Sequence, residues 1–183
     1  MRWILSFFFR LSGWKVKGDF PRDLKKYVIV VAPHTSNWDF IIGVFARSYL
    51  RMSHARFLGK DSLFKPPYGW IFYKLGGYPV DRSGGKNIVE KVVDIMNTHD
   101  SFILTLAPEG TRSKVEKLKT GFWYMADACK IPVVPCGFDY PTKTVVIGDP
   151  YALGELESDM DFLTDFFSRL RGKHPENGVS PSV

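Results

Sequence analysis

The sequence predicts an α/β fold: a single domain built on a mixed, mostly parallel β-sheet covered by helices on both faces. Three observations lead there. Segments of strand composition, such as YVIVVA at 27–32 and FILTL at 102–106, are near-continuous apolar runs without in–out alternation, the pattern of strands buried on both faces. Between them lie segments with apolar residues at helical spacing, so strand and helix alternate along the chain. Neither an internal repeat nor a linker-like stretch divides the 183 residues, a length that suits one domain with a substantial core.

The elements follow in order. Ile4, Phe7, Phe8, Leu11 and Trp14 recur at helical spacing with Arg2, Arg10, Lys15 and Lys17 around them, so residues 1–18 read as an amphipathic helix. Such a helix suits either a membrane interface or the flank of the domain; Leu5 and Phe9, off the main face, favour contact on both sides. The body, residues 19–173, opens with a strand at 27–32 and a helix at 37–50. A short strand at 56–59 and a helix at 66–75 after a proline turn come next, then a strand at 77–80 and the loop DRSGG at 81–85. Ile88, Val92 and Ile95 share one side of a helix at 87–96, and the strand at 102–106 runs into the turn APEGTRS. A helix at 121–129 and strands at 131–137 and 144–147 follow. Ser158 opens the last helix, with Leu163, Phe166, Phe167 and Leu170 on one face. Residues 174–183 have no periodicity and read as a mobile tail.

Composition narrows the function. A formal charge of +6 favours anionic partners such as lipid headgroups, a thioester of coenzyme A or an acidic carrier protein. No dense Lys/Arg run with interleaved stacking aromatics marks a nucleic-acid groove. The two cysteines, Cys129 and Cys136, lack CxxC or metal-ligand spacing and read as buried thiols in a reducing compartment. No stretch reaches the roughly 18–20 apolar residues of a bilayer span. The N-terminal MRWILSFFFRLSGW is interrupted by Arg10 and lacks a small-residue cleavage site, so a signal peptide is not expected.

Four short blocks carry the chemistry, and for each an ordinary structural role competes with a catalytic one. In HTSNWD, residues 34–39, Ser36 and Asp39 form a capping-box pattern, so Asp39 either caps a helix or accepts a hydrogen bond from His34. If the helix begins after Ser36, the imidazole folds back over its first turn and keeps its second nitrogen for a substrate hydroxyl. In GGYPVDRSGG, residues 76–85, Asp81 and Arg82 are a surface pair beside a turn or a phosphate site, for which a guanidinium fork is well shaped. In PEGTR, residues 108–112, Gly110 permits close backbone approach and Arg112 adds a second cation, unless the block is simply a polar turn. The fourth, IPVVP at 131–135, is by itself an edge or core strand. His34, Asp39, Asp81 and Glu109 lack metal-ligand spacing, and His54, His99 and His174 have no partners at such spacing, so no metal is expected.

Taken in this order, the blocks resemble the glycerolipid acyltransferase family, which moves a fatty acyl group from a thioester to glycerol 3-phosphate or a lysophospholipid. Lys119 and Gly121 are similar to the family's basic segment between the third and fourth blocks. The resemblance implies a glycerol-3-phosphate acyltransferase-like domain in which His34 deprotonates the acceptor hydroxyl and Asp39 orients it. It implies that Arg82, Glu109, Gly110, Thr111, Arg112 and Lys119 bind a phosphate-bearing acceptor, with Glu109 paired to an arginine or bonded to a glycerol hydroxyl. Ile131, Pro132, Val133, Val134 and Pro135 would border the acyl donor. The expected reaction is transfer from acyl-CoA or acyl carrier protein to a 1-acyl-glycerol-3-phosphate-like acceptor, without an acyl-enzyme and without a cofactor. An acceptor with another headgroup, such as a lyso-aminolipid, a thioesterase acting on water, and a non-catalytic lipid-binding module are the alternatives. Attachment is expected to be peripheral, at the cytoplasmic face of a membrane through the N-terminal helix, with help from Arg47, Arg51 and Lys65.

Overall fold

The computed structural model describes residues 2–80 and 88–181. Seven strands form one sheet: β1 (Lys15–Lys17), β2 (Lys26–Val31), β3 (Ala55–Lys60), β4 (Gly77–Val80), β5 (Phe102–Leu106), β6 (Val133–Asp139) and β7 (Thr144–Ile147). Their order across the sheet is β1-β7-β6-β2-β5-β3-β4, and every neighbouring pair is parallel except β6–β7. This is the mixed, mostly parallel sheet that the unbroken apolar runs predict.

Six α-helices cover it: α1 (Arg2–Leu11), α2 (Asn37–Tyr49), α3 (Gly69–Lys74), α4 (Ile88–Asn97), α5 (Gly121–Cys129) and α6 (Leu156–Ser168). Because strand side chains alternate, β2 supplies both cores at once. Tyr27 and Ile29 join Phe9 of α1 and Ile42 and Ala46 of α2 on one face. On the other, Val28 and Val30 meet Val92 and Met96 of α4, Phe122 and Met125 of α5, and Leu163 and Phe167 of α6. Helices therefore lie on both faces, as expected.

The N-terminal segment departs from the expected single helix over 1–18. The helix stops at Leu11, where Gly13 takes a left-handed backbone (φ 75°), and the chain turns to lay β1 alongside β7. Trp14 therefore leaves the amphipathic stripe and is buried edge-on against Phe138 and Tyr140. One side of this helix packs on the domain. Phe8 and Phe9 stack on Phe45 and Tyr49 of α2, while Trp3, Ile4, Phe7 and Leu11 stand exposed. Among the described residues no helix is long and apolar enough to cross a membrane.

Other boundaries move for local reasons. The sixth strand starts at Val133, because the Ile131 N–H is spent on Ala126 O and Pro132 has none to give. A 3-10 turn, Asp61–Phe64, precedes α3, and another, Pro175–Asn177, interrupts the supposed tail. Arg47 is not a surface cation: its Nε donates to Ala55 O at 3.0 Å and its guanidinium to Ser53 O. Lys65 faces Asp61 at 3.7 Å, and Arg51 is exposed.

Candidate active site

The site is assembled at the carboxyl ends of β2 and β5, where parallel sheets place their binding crevices. The second strand ends at Val31 and delivers residues 32–36 as a turn into α2. Ser36 is the N-cap: its backbone is extended (φ −148°), and both halves of the capping box with Asp39 are formed. Asp39 is also the partner of His34, since its Oδ2 lies 3.2 Å from the imidazole Nδ1. The cap and the base pair are thus one arrangement and not alternatives. The same Oδ2 accepts the N–H groups of Thr35 and Ser36 at 2.8 Å each. Burial raises the Asp39 carboxyl, but the hydrogen bonds from His34, Tyr140 and the Ser36 N–H outweigh it and hold the group below the usual carboxylate range.

The neighbouring turn, 107–113, carries Glu109. Glu109 is only 2% exposed, and both of its carboxylate oxygens accept the backbone N–H of His34, at 2.9 and 3.0 Å. Among the described residues it forms no ion pair with an arginine; it braces the turn that holds His34. An orphan N–H beside a helix start has to find an acceptor, and this carboxylate is it. Burial pushes its pKa up to about 7, against the His34 N–H, which favours the charged form.

A cavity of about 480 Å³ opens at His34 and Asp39 and runs between α2 and the sheet. Phe40, Val44, Leu50, Met52 and Ile29 are among the residues that make its walls apolar. Gly110, Arg112 and Lys119 line the same cavity as the base. Among the described residues neither cation forms an ion pair. Gly110 has a left-handed backbone (φ 67°), and an added Cβ would stand 2.6 Å from Lys119 Nζ, so glycine there makes room for the lysine. Thr111 is exposed, and its Oγ1 accepts the Ser113 N–H at 3.3 Å, outside the cavity lining. Arg82 lies outside the described residues.

The block at 131–135 does not border this cavity either. Val133 and Val134 sit in the middle of the sheet between β7 and β2 with no exposure, one facing each core. Ile131, Pro132 and Pro135 are absent from the lining, which β6 reaches two steps further on, through Cys136 and Phe138. The apolar block fits a central strand covered on both faces.

Two parts of the site had no signal in the sequence. The Tyr140 hydroxyl donates to Asp39 Oδ1 at 2.5 Å from a position 101 residues away. Residues 171–174 fold back over the turn: the His174 N–H reaches Thr35 Oγ1 at 3.1 Å, and Lys173 Nζ lies 4.8 Å above the Trp38 ring. Among the described residues no group of three His, Cys, Asp or Glu is placed to hold a metal ion.

His34, with Asp39 on its Nδ1, thus shares one largely apolar cavity with Arg112 and Lys119. A family model described as Acyltransferase matches residues 14–139, well over half of the sequence, and the chain belongs to that family. Among solved structures, the crystal structure of the 1-acyl-sn-glycerophosphate (LPA) acyltransferase PlsC from Thermotoga maritima matches with a TM-score of 0.65 at 19% identity, covering 92% of this chain and 77% of that one. At that identity the likeness speaks for the fold, which is shared. No curated protein matches the chain.

Proposed function

We propose that this acyltransferase moves a fatty acyl group from acyl-CoA or acyl carrier protein to the hydroxyl of a lysophosphatidate-like acceptor, with His34 as general base. The observation that carries this reading is the imidazole at the cavity mouth with Nδ1 engaged by Asp39 and Nε2 left for a substrate. In the proposed step Nε2 takes the proton of the acceptor hydroxyl as its oxygen adds to the thioester carbonyl carbon. The tetrahedral intermediate collapses with cleavage of the carbon–sulfur bond, and the departing thiolate takes the proton back from the imidazolium. Ester and free thiol are the products.

An acyl-enzyme is not needed, and the side chains do not favour one. Cys136, the thiol lining the cavity, is buried, and burial pushes its pKa up to about 12, far from a working thiolate. Ser36 Oγ is occupied as an acceptor for the Trp38 N–H at 3.2 Å. The apolar walls suit an acyl chain, and Arg112 and Lys119 suit the acceptor's phosphate. The hydrogen bonds to Asp39 outweigh its burial and keep it ionised, which favours the imidazolium as it forms.

The exposed face of α1 supports peripheral attachment to the cytoplasmic face of a membrane. Trp3 is 76% and Leu11 68% exposed while the opposite side of the helix packs on α2, and Tyr68, Trp70 and Tyr73 around α3 add exposed aromatic area. Aromatic residues beside cations are the composition of an interfacial surface.

The test is a transfer assay on purified protein with both donor types and a panel of lysolipids. His34→Ala is expected to lower transfer to lysophosphatidate by about 10²–10⁴-fold, the usual contribution of a positioned base. Wild-type rates in that variant would sink the reading, and thiol release without any acceptor would move it to hydrolysis.

A further inference from the structure

Asp39 is held from two sides. Its Oδ2 serves His34 and the two backbone N–H groups, whereas Oδ1 receives the Tyr140 hydroxyl at 2.5 Å. We infer that Tyr140 is a positioning residue for the base, fixing the rotation of the Asp39 carboxylate and through it the plane of the His34 ring. The inference rests on the reading of His34 as the base.

A carboxylate turns easily about its last torsion, so one anchored oxygen leaves the other free to swing. Donors on both oxygens remove that freedom. Tyr140 can impose it because it is itself immobile. Its ring meets Trp14 edge to face, with centroids 5.1 Å apart, and its backbone N–H donates to Arg171 O at 2.9 Å. Burial, and next the bond to Asp39, raise the phenol above its ordinary range, so it remains a donor wherever the enzyme operates. A bond to an ionised acceptor is also the strong kind. Tyr140 lies one residue beyond the segment matched by the family model, in the connection between β6 and β7. The blocks of the family pattern therefore do not account for it.

Removing the hydroxyl has two consequences. Asp39 gains torsional freedom, which degrades the alignment of His34. It also keeps more of its negative charge, which favours imidazolium and moves the acid limb of the rate profile to higher pH. Among the described residues the other charged groups around the pair include Glu109 on the His34 N–H, Arg47, Arg56, Arg112 and Lys119 in the cavity, and Lys173 and His174 over the turn. None of them is altered in Tyr140→Phe, which also keeps the ring against Trp14.

The experiment compares wild type, Tyr140→Phe and His34→Ala in the transfer assay across pH, together with an NMR titration of the His34 imidazole in the unliganded protein. Tyr140→Phe is expected to lower kcat on the order of tenfold with KM little changed. The acid limb of the rate profile is expected to move to higher pH. A variant whose kcat, acid limb and imidazole titration all match wild type, whatever its melting temperature, overturns the inference. If His34→Ala itself transfers acyl groups at the wild-type rate, it is the base reading that has failed.

Discussion

Glu109 offers the sharpest energetic test of how the turn is held. Its carboxyl is buried on the His34 N–H, and burial lifts its pKa from the ordinary 4.5 to about 7. In the unfolded chain the same group titrates at its ordinary value. Below that value both states are protonated, and the residue contributes no pH dependence. As pH rises toward 7 the unfolded chain ionises while the folded one resists, so stability is lost across this window and the loss levels off above it. A gap of that width corresponds to about 3 kcal/mol, most of it falling between about pH 5 and pH 8. Glu109→Gln keeps an oxygen for the His34 N–H but cannot ionise. Urea unfolding of both proteins at about pH 5 and pH 8 should show the wild type losing about 2–3 kcal/mol relative to the variant. Taking the difference between the two proteins cancels every other titrating group. Stabilities that run parallel over this range would refute the assignment of a strained, buried carboxylate to Glu109.

Three further outcomes are expected. Gly110→Ala puts a Cβ 2.6 Å from Lys119 Nζ on a backbone with positive φ, so it should raise KM for a phosphate-bearing acceptor several-fold and cost about 1–2 kcal/mol of stability; unchanged KM in steady-state kinetics would contradict the role given to Lys119. Gly43→Ala, in the middle of α2, meets only Phe138 Cζ at an ordinary 3.6 Å, and urea unfolding should show a gain of about 0.5–1 kcal/mol from helix propensity. Replacing the exposed Ile4, Phe7 and Leu11 by serine should leave the fold intact and reduce sedimentation with anionic vesicles by at least about a hundredfold, because each apolar insertion is worth about 1.5–3 kcal/mol. Undiminished sedimentation would remove α1 as the attachment surface.

Local sequence reported on local structure. The run at 27–32 and the Ser36–Asp39 spacing locate a strand, a turn and a helix start, and these alone set His34 and Asp39 side by side. Turn chemistry at 107–112 likewise pointed to the turn in which Gly110 takes a left-handed backbone, a local requirement after a strand. What escaped depends on contacts between distant segments. Trp14 continued the helical spacing of α1 by coincidence, because nothing nearby reveals that a β-strand at 144–147 will draw residues 15–17 out of the helix. Glu109 looked like a ligand residue until the fold showed a backbone N–H 75 positions earlier that needed an acceptor. Tyr140 belongs to no spacing pattern with Asp39, and only the adjacency of β6 and β2 brings its hydroxyl within reach.

The turn bearing His34 is closed by groups from three distant parts of the polypeptide, Glu109, Tyr140 and the stretch at 171–174, as well as by the adjoining start of α2. How firmly that turn is held is consequently a property of the finished tertiary structure. Loosening any of the distant clamps should silence the chemistry before the sheet itself gives way.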